Sequence, residues 1–229
     1  MHLLLHGGLG RMGQEVQAVA KEEKDIVLFP VDTAPPCHTL EDLEQTELHI
    51  ILDFSHPLAT DDLLAFAKKK GLPLVIATTG HNQRELSSIV ATAQKIPILL
   101  CKNLSLGALL FFDFAKTLFN YFPLGKGEIL EIHRTGKKDL PSGTAKALKE
   151  DLIKICQKGD DIPIRSLRIG DTVGTHSFSF GSEEESITLT HRVHHRRLFA
   201  KVGIAACRYL LKQPAGLYTL EDMVKADET

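Results

Sequence analysis

Short apolar runs alternate with amphipathic stretches along the N-terminal part of the chain. The apolar runs fall at residues 3–5, 26–31, 50–54, 74–77 and 96–101. Runs of this length that are apolar throughout are typical of strands buried on both faces of a parallel sheet. Amphipathic helices are predicted between them, over residues 14–23, 57–70 and 83–95. The alternation predicts an α/β fold with a Rossmann-like, doubly wound parallel sheet, in which ligands bind beyond the carboxyl ends of the strands.

The pattern changes after a helix predicted over Leu106–Tyr121. Strand-like stretches follow at residues 127–134, 164–169, 173–180 and 186–192. Apolar and polar residues alternate on both sides of a polar turn at residues 181–184, as expected of a half-buried antiparallel hairpin. The apolar members are Phe178, Phe180, Ile187 and Leu189. A long amphipathic helix is predicted over residues 197–212. The pattern indicates a second, α+β domain inserted into the first.

Composition and charge limit the class of protein. The chain has 229 residues, of which 43% are hydrophobic, so it can bury one large core or two smaller ones. A formal net charge of −2 gives no general attraction to nucleic acid or to an acidic membrane surface, and we expect neither as a partner. No apolar run reaches membrane-spanning length, and the N-terminus lacks the features of a signal peptide. We therefore expect a cytoplasmic protein.

Residue types that bind metals occur in the chain without a recognisable metal-binding spacing. The cysteines are Cys37, Cys101, Cys156 and Cys207, and no two of them form a C-x-x-C pair. A histidine cluster near residues 191–195 stands among arginines and fits no closed zinc set, so it is interpreted as a solvated basic turn or a subunit contact. The lysine run at residues 68–70 ends a predicted helix, where cations complement the helix dipole. We expect no metal.

A glycine-rich turn follows the first apolar run directly. Gly7, Gly10 and Gly13 lie between a predicted strand and a predicted helix. Glycines in this position let a pyrophosphate approach the backbone, although the spacing departs from the usual G-x-G-x-x-G. Asp32 ends the second predicted strand, where a carboxylate can accept a hydrogen bond from an adenosine ribose hydroxyl. The combination favours dinucleotide binding. The alternative is a glycine turn that only allows the helix to pack tightly on the sheet.

A second motif, over residues 131–145, combines an imidazole, three cations and a predicted helix N-terminus. His133 can exchange a proton near neutral pH. The cations are Arg134, Lys137 and Lys138. The turn at residues 142–144 opens the helix, whose unpaired N–H groups attract an anion. The segment therefore predicts a site that binds an acidic small molecule and protonates it. The alternative is a strand end, a basic loop and a helix cap without chemistry.

With these motifs in place, the chain resembles the bacterial 4-hydroxy-tetrahydrodipicolinate reductases, also called dihydrodipicolinate reductases, nearly from end to end. The matching motifs are Gly7-x-x-Gly10-Arg11-Met12-Gly13, Asp53-Phe54-Ser55-His56-Pro57, Thr78-Thr79-Gly80, Asn103-Leu104-Ser105-Leu106-Gly107, and Glu131-x-His133 continued by Lys137-x-Asp139-x-Pro141-Ser142-Gly143-Thr144-Ala145. The last motif is the most specific. The resemblance implies reduction of a cyclic, conjugated imine dicarboxylate to tetrahydrodipicolinate, on the pathway to diaminopimelate and lysine.

The resemblance also implies roles for the residues of the second motif. His133 matches the family's proton donor, and Lys137 matches the lysine beside the substrate. One substrate carboxylate is implied to lie on the turn formed by Ser142, Gly143 and Thr144. Arg134 stands where the best-known members have a second histidine that contacts the substrate. An arginine can still bind a carboxylate through two hydrogen bonds, but it would not supply the pH dependence of a second imidazole.

NADH, NADPH or both are implied as the cofactor. The implied cofactor-binding residues are Gly7, Gly10, Arg11, Met12, Asp32, Ala77, Thr79, Lys102 and Leu104. Asp32 favours the free 2′-hydroxyl of NADH, whereas Arg11, taken as part of the glycine loop, could reach the 2′-phosphate of NADPH. Residues 33–49 form a short connection for the family, so a loop near the adenosine is expected to be trimmed.

Domain organisation and assembly follow from the same resemblance. Residues 1–104 and 200–229 are implied to form the dinucleotide-binding domain, because the chain returns to it after the insertion. Residues 105–199 are implied to form the domain for substrate binding and oligomerisation, whose sheet builds a homotetramer. The pattern itself indicates only that an open sheet that carries two phenylalanines needs cover.

Two other functions stay open at this point. A non-catalytic sensor of NAD(H) would keep the glycine-rich turn, but it has no use for a proton donor, a lysine and a carboxylate-binding turn in one loop. A dehydrogenase for another amino-acid-derived imine, such as iminoaspartate, would have no reason to keep the residues from 137 to 144. The reductase is therefore the preferred hypothesis.

Overall fold

The structure is a computed structural model that describes residues 1–121, 126–155 and 162–226. It divides into two compact units. The first comprises Met1–Leu104 and Arg197–Thr229, and the second comprises Ser105–Arg196. Arg197 is the first residue of a helix, so that whole helix lies with the first unit.

In chain order, the strands are β1 (His2–His6), β2 (Val27–Val31), β3 (Ile50–Asp53), β4 (Leu74–Ile76), β5 (Pro97–Leu100), β6 (Lys126–His133), β7 (Ile164–Arg168), β8 (Gly174–Gly181), β9 (Ser186–Val193) and β10 (Gly216–Tyr218). The helices are α1 (Arg11–Ala20), α2 (Thr60–Lys70), α3 (Gln83–Ala93), α4 (Leu106–Tyr121), α5 (Gly143–Ile155), α6 (Arg197–Leu210) and α7 (Leu220–Ala226). Within the described ranges, none of them combines the length and the apolar character needed to cross a bilayer.

The first unit is built on a six-stranded parallel sheet. The strand order is β2-β1-β3-β4-β5-β10, so the chain turns to one side of β1 for β2 and to the other side for β3. A reversal of this kind opens a crevice at the carboxyl ends of the two central strands. Leu3, Leu5, Ile50 and Leu52 are fully buried, which explains why these runs are apolar throughout. The predicted doubly wound parallel sheet is confirmed.

The first helix begins earlier than its pattern predicts. It starts at Arg11, not at residue 14, because Gly10 is the extended residue before the helix and its carbonyl oxygen accepts the first helical bond, from Gln14 N–H at 3.0 Å. Gly13 lies in the first turn, where the absence of a side chain lets the helix start beside the glycine-rich turn. Arg11 and Met12 are therefore helical, and the prediction that Arg11 lies within the glycine loop is wrong.

A short, irregular segment joins β2 to β3. It contains a single 3₁₀ turn, Glu41–Leu43, and no α-helix. Lys70 fastens it: its ammonium group donates to the carbonyl oxygens of Leu43, Glu44 and Thr46 at 3.2, 3.1 and 2.7 Å. The last residue of the 68–70 lysine run therefore anchors this segment, in addition to complementing the dipole of α2.

The second unit is a mixed sheet covered on one face by helices. The strand order is β7-β6-β8-β9, with β6 and β7 parallel and the other pairs antiparallel. The helices α4 and α5 contribute to a core centred on Ile129, Phe178 and Phe180. On the opposite face, hydroxyl pairs bridge β8 and β9: Ser177 with Thr190 and Ser179 with Thr188, each at 2.9 Å. This unit is the predicted α+β insertion.

Candidate active site

In the first unit, a sharp turn follows the carboxyl end of β1. Gly7 has a φ of +89°, and a Cβ atom there would lie 2.7 Å from the carbonyl oxygen of Phe54. A Cβ atom on Gly13 would lie 2.2 Å from the carbonyl oxygen of Gly7. Both positions require glycine, because any side chain would force the turn away from its neighbours. The order of β1, the glycine-rich turn and α1 is the order that binds a pyrophosphate at a helix N-terminus.

A cavity of about 880 Å³ opens beside this turn, and Gly7, Gly10 and Asp32 line it. The carboxylate of Asp32 accepts hydrogen bonds from the backbone N–H groups of Leu9 and Thr33, both at 2.8 Å. These bonds fix a negative charge next to the glycine-rich turn. A carboxylate held there can accept from a ribose hydroxyl and would repel a phosphate on the same sugar.

A second cavity, of about 650 Å³, lies on the other side of residues 54–56, which line both cavities. Arg11, Met12, Ala77 and Thr79 are among its lining residues. The two cavities adjoin along the carboxyl edge of the sheet, at the ends of β1, β3 and β4. This is the position in which a doubly wound sheet binds a dinucleotide, so the residues present fit such a cofactor.

Lys102 and Leu104 differ from the other implied cofactor residues, because neither lines one of these two cavities. Leu104 is only 2% exposed and belongs to the core of the first unit. Its side chain packs near Gly203 of α6 and is not available to a ligand. Lys102 is exposed.

Asp53 and His6 were not assigned roles from the sequence, although they lie at the reversal of strand order. Asp53 is 2% exposed, and its carboxylate accepts from the His6 ring at 3.0 Å and from the Ser55 backbone N–H at 3.1 Å. Burial opposes ionisation, but these hydrogen bonds outweigh it and hold the pKa of Asp53 below its ordinary value. The carboxylate thereby fixes the turn after β3, which forms a wall of both cavities.

In the second unit, the alternation of β6 places Glu131 and His133 on the face that α4 and α5 cover. Both are buried. The sheet register sets Arg168 of β7 beside His133, and Gly174 of β8 is close to its other side. A Cβ atom on Gly174 would lie 3.0 Å from Nε2 of His133, so the glycine leaves room for the ring. Three strands therefore contribute to the surroundings of the predicted proton donor.

Glu131 is the centre of a hydrogen-bonded network. One carboxylate oxygen pairs with the Arg168 guanidinium at 2.9 Å and accepts from the Ser142 backbone N–H at 3.3 Å. The other oxygen contacts Nδ1 of His133. Burial alone would raise the pKa of Glu131, but the bonds from Arg168 and His133 outweigh it and hold that pKa below its ordinary value. Glu131 is therefore ionised at neutral pH.

His176 joins the network from β8. Its Nε2 lies 3.1 Å from the hydroxyl of Ser142, and its ring meets the ring of His133 edge-on at 5.1 Å between centroids. Burial lowers the pKa of His176 to about 3, and the nearby imidazole of His133 adds to the shift, so the ring is neutral at working pH. The sequence analysis did not identify His176. A signal was present, because His176 alternates with Phe178 and Phe180 on the buried face of a strand.

The acid–base balance of His133 follows from these neighbours. Burial lowers the pKa of His133, the Glu131 carboxylate raises it, and the cations Lys137 and Arg168 lower it, with a net lowering. The ring is consequently neutral in most molecules at pH 7 in the absence of a ligand. An anion bound next to it would favour the protonated form.

The loop after β6 carries the predicted substrate contacts. Lys137 pairs with Asp139 at 2.7 Å. The Arg134 guanidinium folds over Gly136, and among the residues that the structure describes it makes no ion pair. A cation without an acidic partner is available to a carboxylate.

At the end of the loop, Ser142 caps α5, because its hydroxyl accepts from the Ala145 N–H at 3.2 Å. Gly143 is the first residue of α5, and a Cβ atom there would meet nothing within 4 Å. Thr144 follows in the first helical turn. The open space and the positive end of the helix dipole suit an approaching carboxylate. The roles predicted for these residues stay predictions; what the structure gives is their placement in one unit.

Glu131, His133 and His176 are also residue types that bind metals, and their ligand atoms lie within 4.8 Å of one another. Both oxygens of Glu131 are engaged by other groups, however, and the positive charges of Arg168 and Lys137 stand nearby. A cation entering here would have to displace the arginine. The set is therefore a hydrogen-bonded network rather than a group of free ligands.

Comparison with known proteins covers both units. The family model described as "Dihydrodipicolinate reductase, N-terminus" matches residues 1–104, and the one described as "Dihydrodipicolinate reductase, C-terminus" matches residues 107–224. A 4-hydroxy-tetrahydrodipicolinate reductase from Alkaliphilus oremlandii is 34% identical over 98% of this chain and 98% of the relative. One from an Exiguobacterium species is also 34% identical, over 97% of this chain and 95% of the relative.

A solved structure supports the fold. Dipicolinate-bound dihydrodipicolinate reductase from Paenisporosarcina sp. TG-14 superimposes with a TM-score of 0.81 and 22% identity, over 97% of this chain and 98% of that one. At this identity the likeness speaks for the fold alone. The family models and the relatives go further, because they match the sequence over nearly its whole length. The chain belongs to the dihydrodipicolinate reductase family.

Proposed function

We propose that the protein reduces 4-hydroxy-tetrahydrodipicolinate to tetrahydrodipicolinate with NADH or NADPH, as a step toward diaminopimelate and lysine. The observation that carries the proposal is the grouping of His133, Lys137 and the N-terminus of α5 in one unit of a member of this family. The imidazole can donate a proton to the substrate ring, the cation can stabilise the charge that develops there, and the helix N-terminus can bind a carboxylate.

The net reaction takes up one hydride and one proton and releases the 4-hydroxyl group of the substrate as water. Water leaves first: the C–O bond to the 4-hydroxyl and a C–H bond on the adjacent ring carbon break, which gives a carbon–carbon double bond conjugated with the imine. Bound NADH or NADPH would then supply the hydride, which adds to the ring carbon that carried the hydroxyl. Negative charge then develops on the neighbouring carbon and nitrogen. Protonated His133 donates its proton to this charge, and the Lys137 ammonium group stabilises it.

The remaining residues of the loop hold the substrate. A dicarboxylate has two anionic ends, and the loop offers two kinds of anion site. The first turn of α5, at Ser142, Gly143 and Thr144, attracts one carboxylate through its dipole and N–H groups. Arg134, which has the geometry for two parallel hydrogen bonds, takes the other carboxylate. Substrate charge near His133 also favours the protonated ring that the reaction needs.

Cofactor preference depends on the residues near the ribose. The fixed carboxylate of Asp32 favours NADH. Arg11 lines the neighbouring cavity from the first turn of α1, so a direct contact with a 2′-phosphate is not its expected role. We therefore propose that the protein uses NADH better than NADPH while accepting both.

The function is tested by following oxidation of NADH and of NADPH separately, with freshly generated 4-hydroxy-tetrahydrodipicolinate and purified protein. Turnover with the complete mixture, and none without substrate, is the expected result, with the higher kcat/KM for NADH. Tight binding of NADH without turnover would reject the reductase and favour a sensor. Turnover with iminoaspartate but not with 4-hydroxy-tetrahydrodipicolinate would favour another imine dehydrogenase.

We also propose that the protein is a cytoplasmic homotetramer. The outer face of the second sheet supports the assembly, because the hydroxyl pairs on β8 and β9 form a polar surface, opposite the helix-covered face, against which a second copy can pack. Light scattering should give a mass of roughly 100 kDa for four chains of 25.3 kDa. Thr188→Arg places a charge on this face, on its edge strand β9, and should lower the mass, whereas Glu150→Arg on α5 should not.

A further inference from the structure

A buried carboxylate lies directly behind the predicted proton donor. Glu131 is fully buried, two residues before His133 on the same face of β6, and it contacts the Nδ1 atom of that ring. Arg168 pairs with Glu131 at 2.9 Å, and the backbone N–H of Ser142 adds a further bond. Glu131 thus has fixed partners on both oxygens, which leaves its orientation little freedom.

We propose that Glu131 is a positioning residue: its carboxylate keeps the Nδ1–H of His133 hydrogen-bonded, so that Nε2 is the atom that gives up the proton to the substrate. The proposal rests on the proposed function, since it concerns the same proton. Glu131 itself touches neither substrate nor cofactor in this account. It acts through His133, as a carboxylate that orients an imidazole does in other acid–base sites.

The geometry of the ring supports this assignment. An imidazole whose Nδ1 faces an ionised carboxylate carries its proton on Nδ1 when neutral. Nε2 then lies on the opposite side of the ring, next to Gly174, whose missing side chain keeps that side clear. Without the carboxylate, the neutral ring would be free to carry its proton on Nε2, and the protonated ring could give up either proton.

Several charged or titratable groups face His133 besides Glu131. Arg168 approaches from β7, His176 from β8 and Lys137 from the following loop, where it is paired with Asp139. Lys137 and Arg168 oppose protonation of His133, whereas Glu131 favours it. Removing the charge of Glu131 therefore leaves only groups that disfavour the imidazolium, and the pKa of His133 should fall further.

The test compares Glu131→Gln with Glu128→Gln. Both remove a carboxylate without changing side-chain size. Glu128 lies on the same strand but pairs with Arg165, and its side chain is 39% exposed. Protein labelled with ¹⁵N-histidine reports the protonation of each ring nitrogen by NMR, and His133→Gln identifies the signals of His133. Steady-state kinetics over a range of pH provide the second measurement.

In the unmodified protein, the neutral His133 ring should carry its proton on Nδ1. Glu131→Gln should shift the signals toward the Nε2–H form, lower kcat by about 10- to 1000-fold, and move the alkaline limb of the kcat profile to lower pH. Glu128→Gln should leave the NMR signals of His133, kcat and the alkaline limb of the profile unchanged. A structural role alone would lower the amount of folded protein without moving this limb.

Two results would overturn the proposal. One is an Nε2–H ring in the unmodified protein, which needs no variant and so does not depend on whether Glu131→Gln folds. The other is a folded Glu131→Gln protein with unchanged tautomer and unchanged pH profile. Failure of the proposed function is a separate observation. It would appear as absent turnover in the unmodified protein, while the NMR comparison would still decide whether Glu131 sets the tautomer.

Discussion

Replacing Arg168 by methionine removes the cation that neutralises a buried carboxylate. The Arg168 side chain is 15% exposed and Glu131 is fully buried, so solvent cannot replace the lost partner. Arg168 also donates to the carbonyl oxygens of Lys137 and Asp139, at 3.3 and 2.6 Å. Breaking a buried pair by removing one member costs about 3–5 kcal/mol. We expect the free energy of unfolding of Arg168→Met to fall by about that amount at neutral pH.

The cost should depend on pH in a defined direction. In the native protein the pKa of Glu131 lies below its ordinary value of 4.5, so the pair contributes stability above that pH and loses it as the pH falls through the native pKa. Without Arg168, burial should raise the pKa of Glu131, and the stability of the variant then falls as the pH rises through the raised value. The difference between the two proteins is therefore largest near neutral pH and smaller in acid.

Urea unfolding at a fixed protein concentration, at about pH 5 and about pH 7.5, measures this difference. The double variant Arg168→Met/Glu131→Gln should recover roughly half of the loss at neutral pH, because no uncompensated charge stays buried. What it does not recover reports the lost bonds to the loop carbonyls. A loss that is the same at both pH values, or a double variant less stable than Arg168→Met, would refute the reasoning.

Four further changes test other parts of the molecule. His133→Gln should lower turnover by about 100-fold or more and leave NADH affinity nearly unchanged in a fluorescence titration. Gly143→Ala should raise the KM for the dicarboxylate about 10-fold without lowering the melting temperature, because its methyl group meets open space that the substrate would occupy. Asp32→Asn should raise the ratio of kcat/KM for NADPH to that for NADH by about 5-fold, since it removes a charge that repels the 2′-phosphate. Lys70→Met should lower the free energy of unfolding by about 1–3 kcal/mol in urea titrations, because three backbone carbonyls lose their donor.

Burial explains which elements the sequence predicted well. The central strands β1, β3 and β4 of the first sheet are buried on both faces, so their residues form unbroken apolar runs. The helix α4 has the predicted bounds Leu106–Tyr121. The start of α1 was predicted three residues late, because glycine has a low helix propensity and Gly13 therefore argued against a helix at this position. Here Gly13 lies inside the helix for a tertiary reason: the carbonyl oxygen of Gly7 leaves no room for a side chain. Such close approach depends on the folded backbone and leaves no periodic signal.

The candidate site shows a similar division. His133, Lys137 and Ser142 occur within a few residues of one another, so a motif could reveal them. Arg168 and His176 come from two other strands, and their contacts with Glu131 and Ser142 follow from sheet register. A lone arginine and a lone histidine in strand-like stretches have no spacing that identifies a partner. The contiguous half of the site was therefore predictable, and the half assembled across strands was not.

The surroundings of His133 reconcile two opposing requirements. Burial beside Arg168 and Lys137 favours a neutral ring, yet a proton donor must be charged before it reacts. Glu131 offsets part of the burial cost, and it does so at Nδ1, on the side of the ring away from Nε2. In the proposed function the substrate supplies the rest of the offset, because a dicarboxylate held by Arg134 and α5 would bring negative charge to a site rich in cations. On this proposal, the dianion that the loop binds would also favour protonation of the acid that acts on it, and the lowered pKa of His133 would keep the ring neutral until a substrate is present.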